Sequence, residues 1–443
     1  MATTAKSRVF FDWNAGAPLT AAARDAVVDA LSLVGNPSSV HAEGRAAHRL
    51  IEDARAAVAA LCDVAPAAVT FTSGGTEANQ TALSPVMEFD GRSVRFARLF
   101  VSAVEHPSVM AGGRFPSDAV TVVPVDANGI VDLAALERML REAAAPVLVS
   151  LMAANNETGV LQPVAEAARI VHAADGVLHV DAVQVAGRLP LSVGALGADV
   201  VTLSAHKIGG PRGAGAVVRG RPGLVIPPLL TGGGQEGRSR AGTENPPAIA
   251  GFGAAARGAI DDLASQSRVS ARRDWFEREL MLISPGVTVF GADVARLPNT
   301  SAFSVPGVSA ETAVIALDLA GVAVSSGSAC SSGRVSASHV LGAMGVPAGT
   351  AAGAIRVSLG PSTSDQEIER LLSAWQTVSH RFARRPGDPA SHSDRLRQPA
   401  GLEPAVDGET DASSAGNDRP GSVDRLRQVQ VRVRHGHPVR QGA

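Results

Sequence analysis

The chain has 443 residues, 45% of them apolar and 19% charged, which is enough interior for two domains in an ordinary water-soluble protein. Its formal charge of −2 excludes a chain built to lie on nucleic acid or on an anionic membrane. No apolar run approaches the roughly 18 residues that span a bilayer, the start MATTAKSRVFFDW has no signal-peptide core, and two cysteines are too few for a disulfide framework, so a reducing cytoplasm is the expected compartment.

From about residue 20 to 260, helical stretches alternate with short apolar runs. Arg45 to Cys62 sets Leu50, Ala54, Val58 and Leu61 on one stripe at helical spacing. AAVTFTS (from Ala67), VRFARLFVSA (from Val94), AVTVVPV (from Ala119), PVLVSLMA (from Pro146), GVLHVDA (from Gly176) and DVVTLSA (from Asp199) each read as a buried strand. Helical segments such as Leu133 to Ala144 and Pro163 to Ala174 lie between them. This alternation predicts an α/β fold with a mostly parallel sheet covered on both faces. Its active site is expected at the carboxyl ends of the strands.

Beyond 260 the pattern changes. A charged helix (Ser265 to Leu282) leads into shorter strands at Val287 to Phe290, Thr300 to Val305 and Ile355 to Leu359. The expected organisation is a large α/β domain over 20–260 and a small α+β domain made of 1–19 and 261–383. After Arg384 the composition turns to Pro, Gly, Ser, Asp, Arg and Gln, so 384–443 is expected to be a disordered tail. The tail holds DRLRQ twice, from Asp394 and from Asp424.

Four segments carry chemistry. In AVTFTSGGTEANQ (from Ala68), a strand runs through Gly74 and Gly75 to Thr76 and a helix, an arrangement that offers free amides and a favourable dipole to a phosphate. A plain turn with Thr76 as N-cap is the structural alternative. Asp181 closes the apolar strand GVLHVD, where a lone carboxylate is costly. It requires strong donors or a cation, such as a protonated ring nitrogen, unless it serves as a helix cap or in a salt bridge. Lys207 follows the strand DVVTLSA directly, with Ser204 and His206 beside it, and partial burial makes such an amine a competent nucleophile for a Schiff base. Cys330 stands among Ser, Gly and Ala in GVAVSSGSACSSGR, where small neighbours predict a mobile loop and a reactive thiol. Cys62, in an apolar helix, is assigned to the core. The chain has no tyrosine, so a histidine is the expected partner for stacking on a flat ring.

Taken together, these segments resemble the class V aminotransferase superfamily, and within it the cysteine desulfurases of the NifS and IscS type. The resemblance runs in order from about Phe11 to Leu359. It includes GNPSSVHAEGR (from Gly35), TSGGTEAN (from Thr72), VEHPSV (from Val104), NNETG (from Asn155), HVDAVQ (from His179), SAHKIGGPRG (from Ser204), GGGQEGRSRAGTEN (from Gly232), SSGSAC (from Ser325) and AIRVSLG (from Ala354). The Ser/Gly-rich run around the cysteine is similar to the NifS/IscS group rather than to the SufS group. The resemblance implies the aspartate-aminotransferase-like fold type I of pyridoxal-phosphate-dependent transferases, with pyridoxal 5'-phosphate as cofactor.

By the same resemblance, Lys207 holds the cofactor, Asp181 pairs with its ring nitrogen, and His106 stacks on the ring and moves protons. Asn156 and Gln184 contact polar groups of the ring, while Gly75, Thr76, Ser204 and His206 contact the phosphate. Thr243 matches a threonine that reaches the phosphate from a neighbouring subunit, implying a homodimer. Arg356 and Asn36 match positions near the substrate carboxylate. The implied reaction converts L-cysteine to L-alanine and leaves the sulfur as a persulfide on Cys330. From there it passes to an acceptor or iron–sulfur scaffold protein, or serves the biosynthesis of another sulfur-containing cofactor or of tRNA. No resident metal is expected, although Cys330 can contact a cluster on a partner.

The family usually carries Ala-Thr-Thr-Pro near its N-terminus, whereas this chain has Ala15-Gly16-Ala17-Pro18. The loss of two hydroxyls leaves open another reaction on the same fold, selenocysteine lysis or transamination. A non-catalytic carrier that binds and regulates a desulfurase is the alternative from a different class.

Overall fold

The computed structural model describes residues 8–143, 145–327 and 338–382. Cys330 and the expected tail, with both copies of DRLRQ, lie outside the described residues.

The six predicted strands of the first half appear as β1 (Val69–Thr72), β2 (Arg98–Ser102), β3 (Val120–Val123), β4 (Val147–Met152), β5 (Val177–Asp181) and β6 (Val200–Ser204). A further strand, β7 (Gly215–Arg219), completes a seven-stranded sheet in the order β1-β7-β6-β5-β4-β2-β3. The pairs β6–β5, β5–β4, β4–β2 and β2–β3 are parallel, and β7 runs antiparallel to both β1 and β6. Every residue of β4, β5 and β6 is buried. Strands covered on both faces read as near-continuous apolar runs, and this is why they were legible.

Helices cover the sheet. They include α1 (Ala42–Leu61), α2 (Gly75–Ala82), α3 (Leu133–Glu142), α4 (Val164–Ala173) and α5 (Pro246–Asp262). The helix predicted from Arg45 begins earlier, because His41 caps it by accepting the Gly44 N–H. Its inner face buries Ala47, Ile51, Ala54, Val58 and Leu61.

One predicted strand is corrected. The run VRFARLFVSA divides between two sheets, with Arg92–Arg95 pairing antiparallel to Val86–Phe89 while β2 begins only at Arg98. Asp90 and Gly91 both adopt positive φ, 49° and 78°. An Asp-Gly pair in that conformation closes a two-residue hairpin whose twist matches the strands.

The later part of the chain is built on α6 (Gln266–Ile283), β8 (Thr288–Val289), β9 (Thr300–Ser304), β10 (Ser325–Ser326), β11 (Ile355–Ser358) and α7 (Asp365–Phe382). Its four strands form an antiparallel sheet in the order β8-β9-β11-β10. Phe303 packs edge-on to Trp375, with ring centroids 5.2 Å apart, and against Phe276. The buried Trp375 indole donates to Ser284 Oγ at 2.9 Å, so its polar atom is satisfied. The N-terminal segment joins this part of the molecule, where Val9–Phe10 pairs with Val322–Ala323 and Asp12 bridges to Ser358.

Candidate active site

The parallel strands bring their carboxyl ends to one place. β1 leads through Ser73 and Gly74 into α2, which opens on Gly75 and Thr76. Past β2 the chain reaches His106, and past β4 it reaches Asn155 and Asn156. β5 ends on Asp181, and β6 ends on Ser204, followed by His206 and Lys207. Gly75, Thr76, His106, Asn156, Asp181, Ser204, His206 and Lys207, with Asn14, Gln184 and Arg356, line a cavity of about 280 Å³. A larger cleft of about 970 Å³ lies at the amino ends of β5 and β6, against Val177 and Asp199, and brings together no comparable set.

Lys207 Nζ donates to the carbonyl oxygens of Asn14 at 2.5 Å and Ala15 at 3.1 Å. The amine is therefore held by acceptors on the N-terminal segment, the one that departs from the family pattern. Asp181 is buried. Its Oδ2 accepts from Asn79 Nδ2 at 2.9 Å, and its Oδ1 from the Val183 N–H at 3.0 Å. Both oxygens of this buried side chain thus have a donor.

His106 caps the short helix Pro107–Met110, and its Nδ1 lies 2.8 Å from Ser108 Oγ and accepts the Ser108 N–H at 3.2 Å. Burial lowers its pKa below the ordinary histidine value. Asp181 opposes that shift, while Lys207 and His339 add to it. His206 is pushed down to about 4 by burial, with help from Lys207 and Arg212, and its Nδ1 meets Ser204 Oγ at 2.8 Å. Glu105, which precedes His106, is fully buried and accepts from Ser102 Oγ and the Met152 N–H. Burial first, and the nearby Asp181 second, raise its carboxyl well above the usual range.

At Gly75 the start of α2 packs closely on the end of β6. A Cβ there would lie 3.3 Å from Ser204 Cβ and 3.4 Å from Val183 Cγ2. The absence of a side chain thus lets the helix N-terminus sit against the Ser204 hydroxyl, forming one cradle of amides and hydroxyls for an anion. Arg356 is 1% exposed. It donates to the Asn156 carbonyl at 2.8 Å and to Asp12 Oδ1 at 2.7 Å. Its buried Nε has no hydrogen-bond partner among the described residues, an unmet donor in a cavity wall that a carboxylate would satisfy. Gln184 accepts from Arg188 at 2.5 Å through Oε1 and donates to the Asn14 carbonyl at 3.1 Å.

Gly75, Thr76, His106, Asn156, Asp181, Gln184, Ser204, His206, Lys207 and Arg356 are therefore brought together. Asn36 and Thr243 are not. Both are exposed and away from this cavity, and Asn36 accepts the Ser38 N–H in a local turn. Cys330 lies outside the described residues. Cys62 is fully buried in the core, and burial pushes its thiol up to about 12. Residues that sequence reading missed include Asn14, Asn79 and Ser108. Asn79 stands within the TSGGTEAN run, on the α2 face that turns inward, whereas nothing local marks Asn14.

The donor set fits one kind of group. A helix N-terminus with hydroxyls takes a phosphate, a hydrogen-bonded carboxylate holds a proton on a ring nitrogen, and an amine takes a carbonyl carbon. Comparison with known proteins agrees. A family model described as aminotransferase class-V matches residues 9–371. The cysteine desulfurase IscS of Dictyoglomus turgidum (strain DSM 6724 / Z-1310) is 38% identical over 386 residues, covering 84% of this chain and 97% of its own. A cysteine desulfurase of Cereibacter sphaeroides is 42% identical over 377 residues, covering 84% and 95%. Among solved structures, the NifS-like protein from Rickettsia africae ESF-5 superposes with a TM-score of 0.75 at 34% identity, covering 84% of this chain and 99% of that one.

Proposed function

The chain belongs to the aminotransferase class-V family, and from that membership we propose how it works: it is a cysteine desulfurase that uses pyridoxal 5'-phosphate to convert L-cysteine to L-alanine, passing the sulfur to Cys330 as a persulfide. The observation that carries this reading is the convergence of Lys207, Asp181 and the amino end of α2 on one cavity. When bound, pyridoxal phosphate supplies an electron sink that makes the α-proton of an amino acid removable and its bond to sulfur labile.

The chain's own residues do the rest. Gly75, Thr76, Ser204 and His206 hold the phosphate, and His206 stays neutral because burial has lowered its pKa. Asp181 keeps the ring nitrogen protonated. Lys207 anchors the cofactor and then moves the α-proton, a task that needs its amine freed from the Asn14 and Ala15 carbonyls. His106, whose pKa burial lowers, would face the ring from the cavity wall and could take and give a proton there. Asn156 and Gln184, on the cavity wall, would meet polar groups of the ring. Arg356 offers its unmet Nε to the substrate carboxylate, whereas Asn36, exposed and away from the cavity of its own chain, is left out of that contact.

The Cys330 thiolate accepts the sulfur and hands it to an acceptor or scaffold protein by thiol exchange. Iron–sulfur cluster assembly is the destination we favour. Thr243, exposed on its own chain, reaches the phosphate of a second copy in a homodimer. Among the described residues no helix is long and apolar enough to cross a membrane, and we place the enzyme in the cytoplasm on its cysteine count.

The test is release of sulfide and alanine from L-cysteine with a reductant, wild type against Cys330→Ala. Equal yields from the wild type, with sulfide lost in the variant, are expected. Sulfide release that persists in the variant would remove Cys330 from the reaction, and cofactor binding without any sulfide would overturn the substrate.

A further inference from the structure

Beneath Asp181 and His106 runs a line of buried hydrogen bonds in which chemistry assigns the donors. A carboxylate only accepts, so the atom of Asn79 that faces Asp181 Oδ2 at 2.9 Å must be its amide nitrogen. The same nitrogen gives its second hydrogen to Ser108 Oγ, also at 2.9 Å. Ser108 turns its own hydroxyl hydrogen to His106 Nδ1 at 2.8 Å, the atom that the Ser108 N–H also approaches. On the far side of Asn79, Oδ1 accepts from Thr202 Oγ1 at 2.6 Å. With its hydrogen committed there, Thr202 accepts from His179 Nε2 at 3.1 Å, and His179 Nδ1 accepts from Ser150 Oγ at 2.8 Å.

The line follows from the sheet. Ser150 and His179 are register partners on β4 and β5, and Thr202 on β6 is the register partner of Asp181. These residues form a polar row across three adjacent strands, and Asn79 comes down from α2 onto its end. Asn79 and Ser150 are 1% exposed, and His179 and Thr202 are fully buried. Burial pushes His179 down to about 4, which keeps its ring neutral, as one donating and one accepting nitrogen require. Water does not compete for these groups, so each hydrogen bond directs the next.

We propose that Asn79 is a positioning residue that couples Asp181 to His106. One amide group orients the carboxylate toward the ring nitrogen and, through Ser108, commits His106 Nδ1 as an acceptor, leaving Nε2 as the ring atom that exchanges protons with the cavity. The assignment rests on the cofactor reading given above. It makes Asn79 common to both groups, whereas Ser108 serves the histidine alone.

Two measurements separate the branches. Nitrogen-15 NMR of the full chain, labelled at histidine and without cofactor, reads His106, its signals identified with a His106→Asn variant. A pH titration of the visible absorbance after pyridoxal phosphate is added reads the Asp181 branch. Asn79→Ala is expected to move both. Asp181 without its amide donor becomes a stronger base and leaves less positive charge on the ring, so the absorbance midpoint shifts upward by about 0.5 to 1 unit. The same variant is expected to lose about 10- to 100-fold in kcat while KM stays within about threefold.

Ser108→Ala is expected to move the His106 signals and leave the absorbance midpoint in place. Thr202→Val, which strips the donor from Asn79 Oδ1, gives smaller shifts of both in the same directions and serves if Asn79→Ala does not fold. An Asn79→Ala protein that folds with both readouts unmoved would overturn the assignment. So would a Ser108→Ala protein whose midpoint shifts as far as that of Asn79→Ala. A wild type that develops no visible band with pyridoxal phosphate sinks the cofactor reading instead, and the His106 signals of the cofactor-free chain still decide the role of Asn79.

Discussion

The amine of Lys207 is held 2.5 Å from the backbone carbonyl of Asn14, a residue 193 positions earlier in the chain. Asn14 is itself buried and fastened on several sides. Its Nδ2 donates to the Asn156 carbonyl at 3.2 Å and to Thr300 Oγ1 at 2.9 Å, and its Oδ1 accepts from Asn299 at 3.1 Å. The N-terminal segment thus ties the ends of the parallel strands to β9 and places two acceptors where the amine rests.

Asn14→Ala is expected to cost about 2 to 3 kcal/mol, because partners on two neighbouring segments lose a buried hydrogen bond. The backbone carbonyl remains but is no longer fixed. Denaturant unfolding measures the stability, and steady-state kinetics should show kcat falling more than KM rises. A variant as stable as the wild type would mean that the side chain is dispensable to the strap.

Lys207→Ala should abolish retention of pyridoxal phosphate through gel filtration and lower activity by about a thousandfold or more, since attachment and proton transfer are both lost. Absorbance of the protein peak in the visible region is the readout. Retained colour with retained turnover would move the anchoring role elsewhere.

Arg356→Ala removes the buried member of an ion pair whose Asp12 is still partly exposed, so the loss should stay below the about 3 to 5 kcal/mol of a fully buried pair. Arg356→Lys keeps the charge but not the fork, so it should fold better and still raise KM for L-cysteine about tenfold or more. Comparing the two substitutions by thermal melting and by initial rates separates the structural share from the binding share. Equal KM values in Arg356→Lys and wild type would exclude contact with the substrate carboxylate.

Glu157 gives a dependence on pH. Burial pushes its carboxyl up to about 7 from an ordinary 4.5, against the opposing effects of the Ser338 hydroxyl and Arg356. The folded state therefore holds this proton more tightly than the unfolded state. The stabilisation is complete below about pH 4.5 and is lost as pH rises through about 7. Glu157→Gln removes the ionisation, so across that window the variant should lose less stability than the wild type. Unfolding free energies at a series of pH values decide it, and parallel curves would show that Glu157 titrates normally.

How far the molecule could be read from its residues depends on how local each signal is. β4, β5 and β6 were legible because strands buried on both faces are mostly apolar, with a single polar residue in the interior of each. Lys207 and Asp181 were legible because polar groups at the ends of such strands stand out. β7 was missed because Gly215–Arg219 begins on the last glycine of the run PRGAG, which reads as turn, and only its pairing with β1 and β6 makes it a strand. The hairpin at Asp90-Gly91 did carry a local signal that was passed over. Asn79 and Asn14 owe their importance to partners 102 and 193 positions away, and no period or composition reports such a contact.

The burial of Cys62 has a practical consequence for following sulfur. The chain has two cysteines, and one of them is sealed in the core with its thiol pushed up to about 12. Alkylating reagents consume thiolate, so in the folded protein any uptake of label up to one equivalent counts Cys330 and nothing else. A single mass increment after brief exposure to L-cysteine would then report the loading state of each polypeptide directly, without mutating a competing thiol.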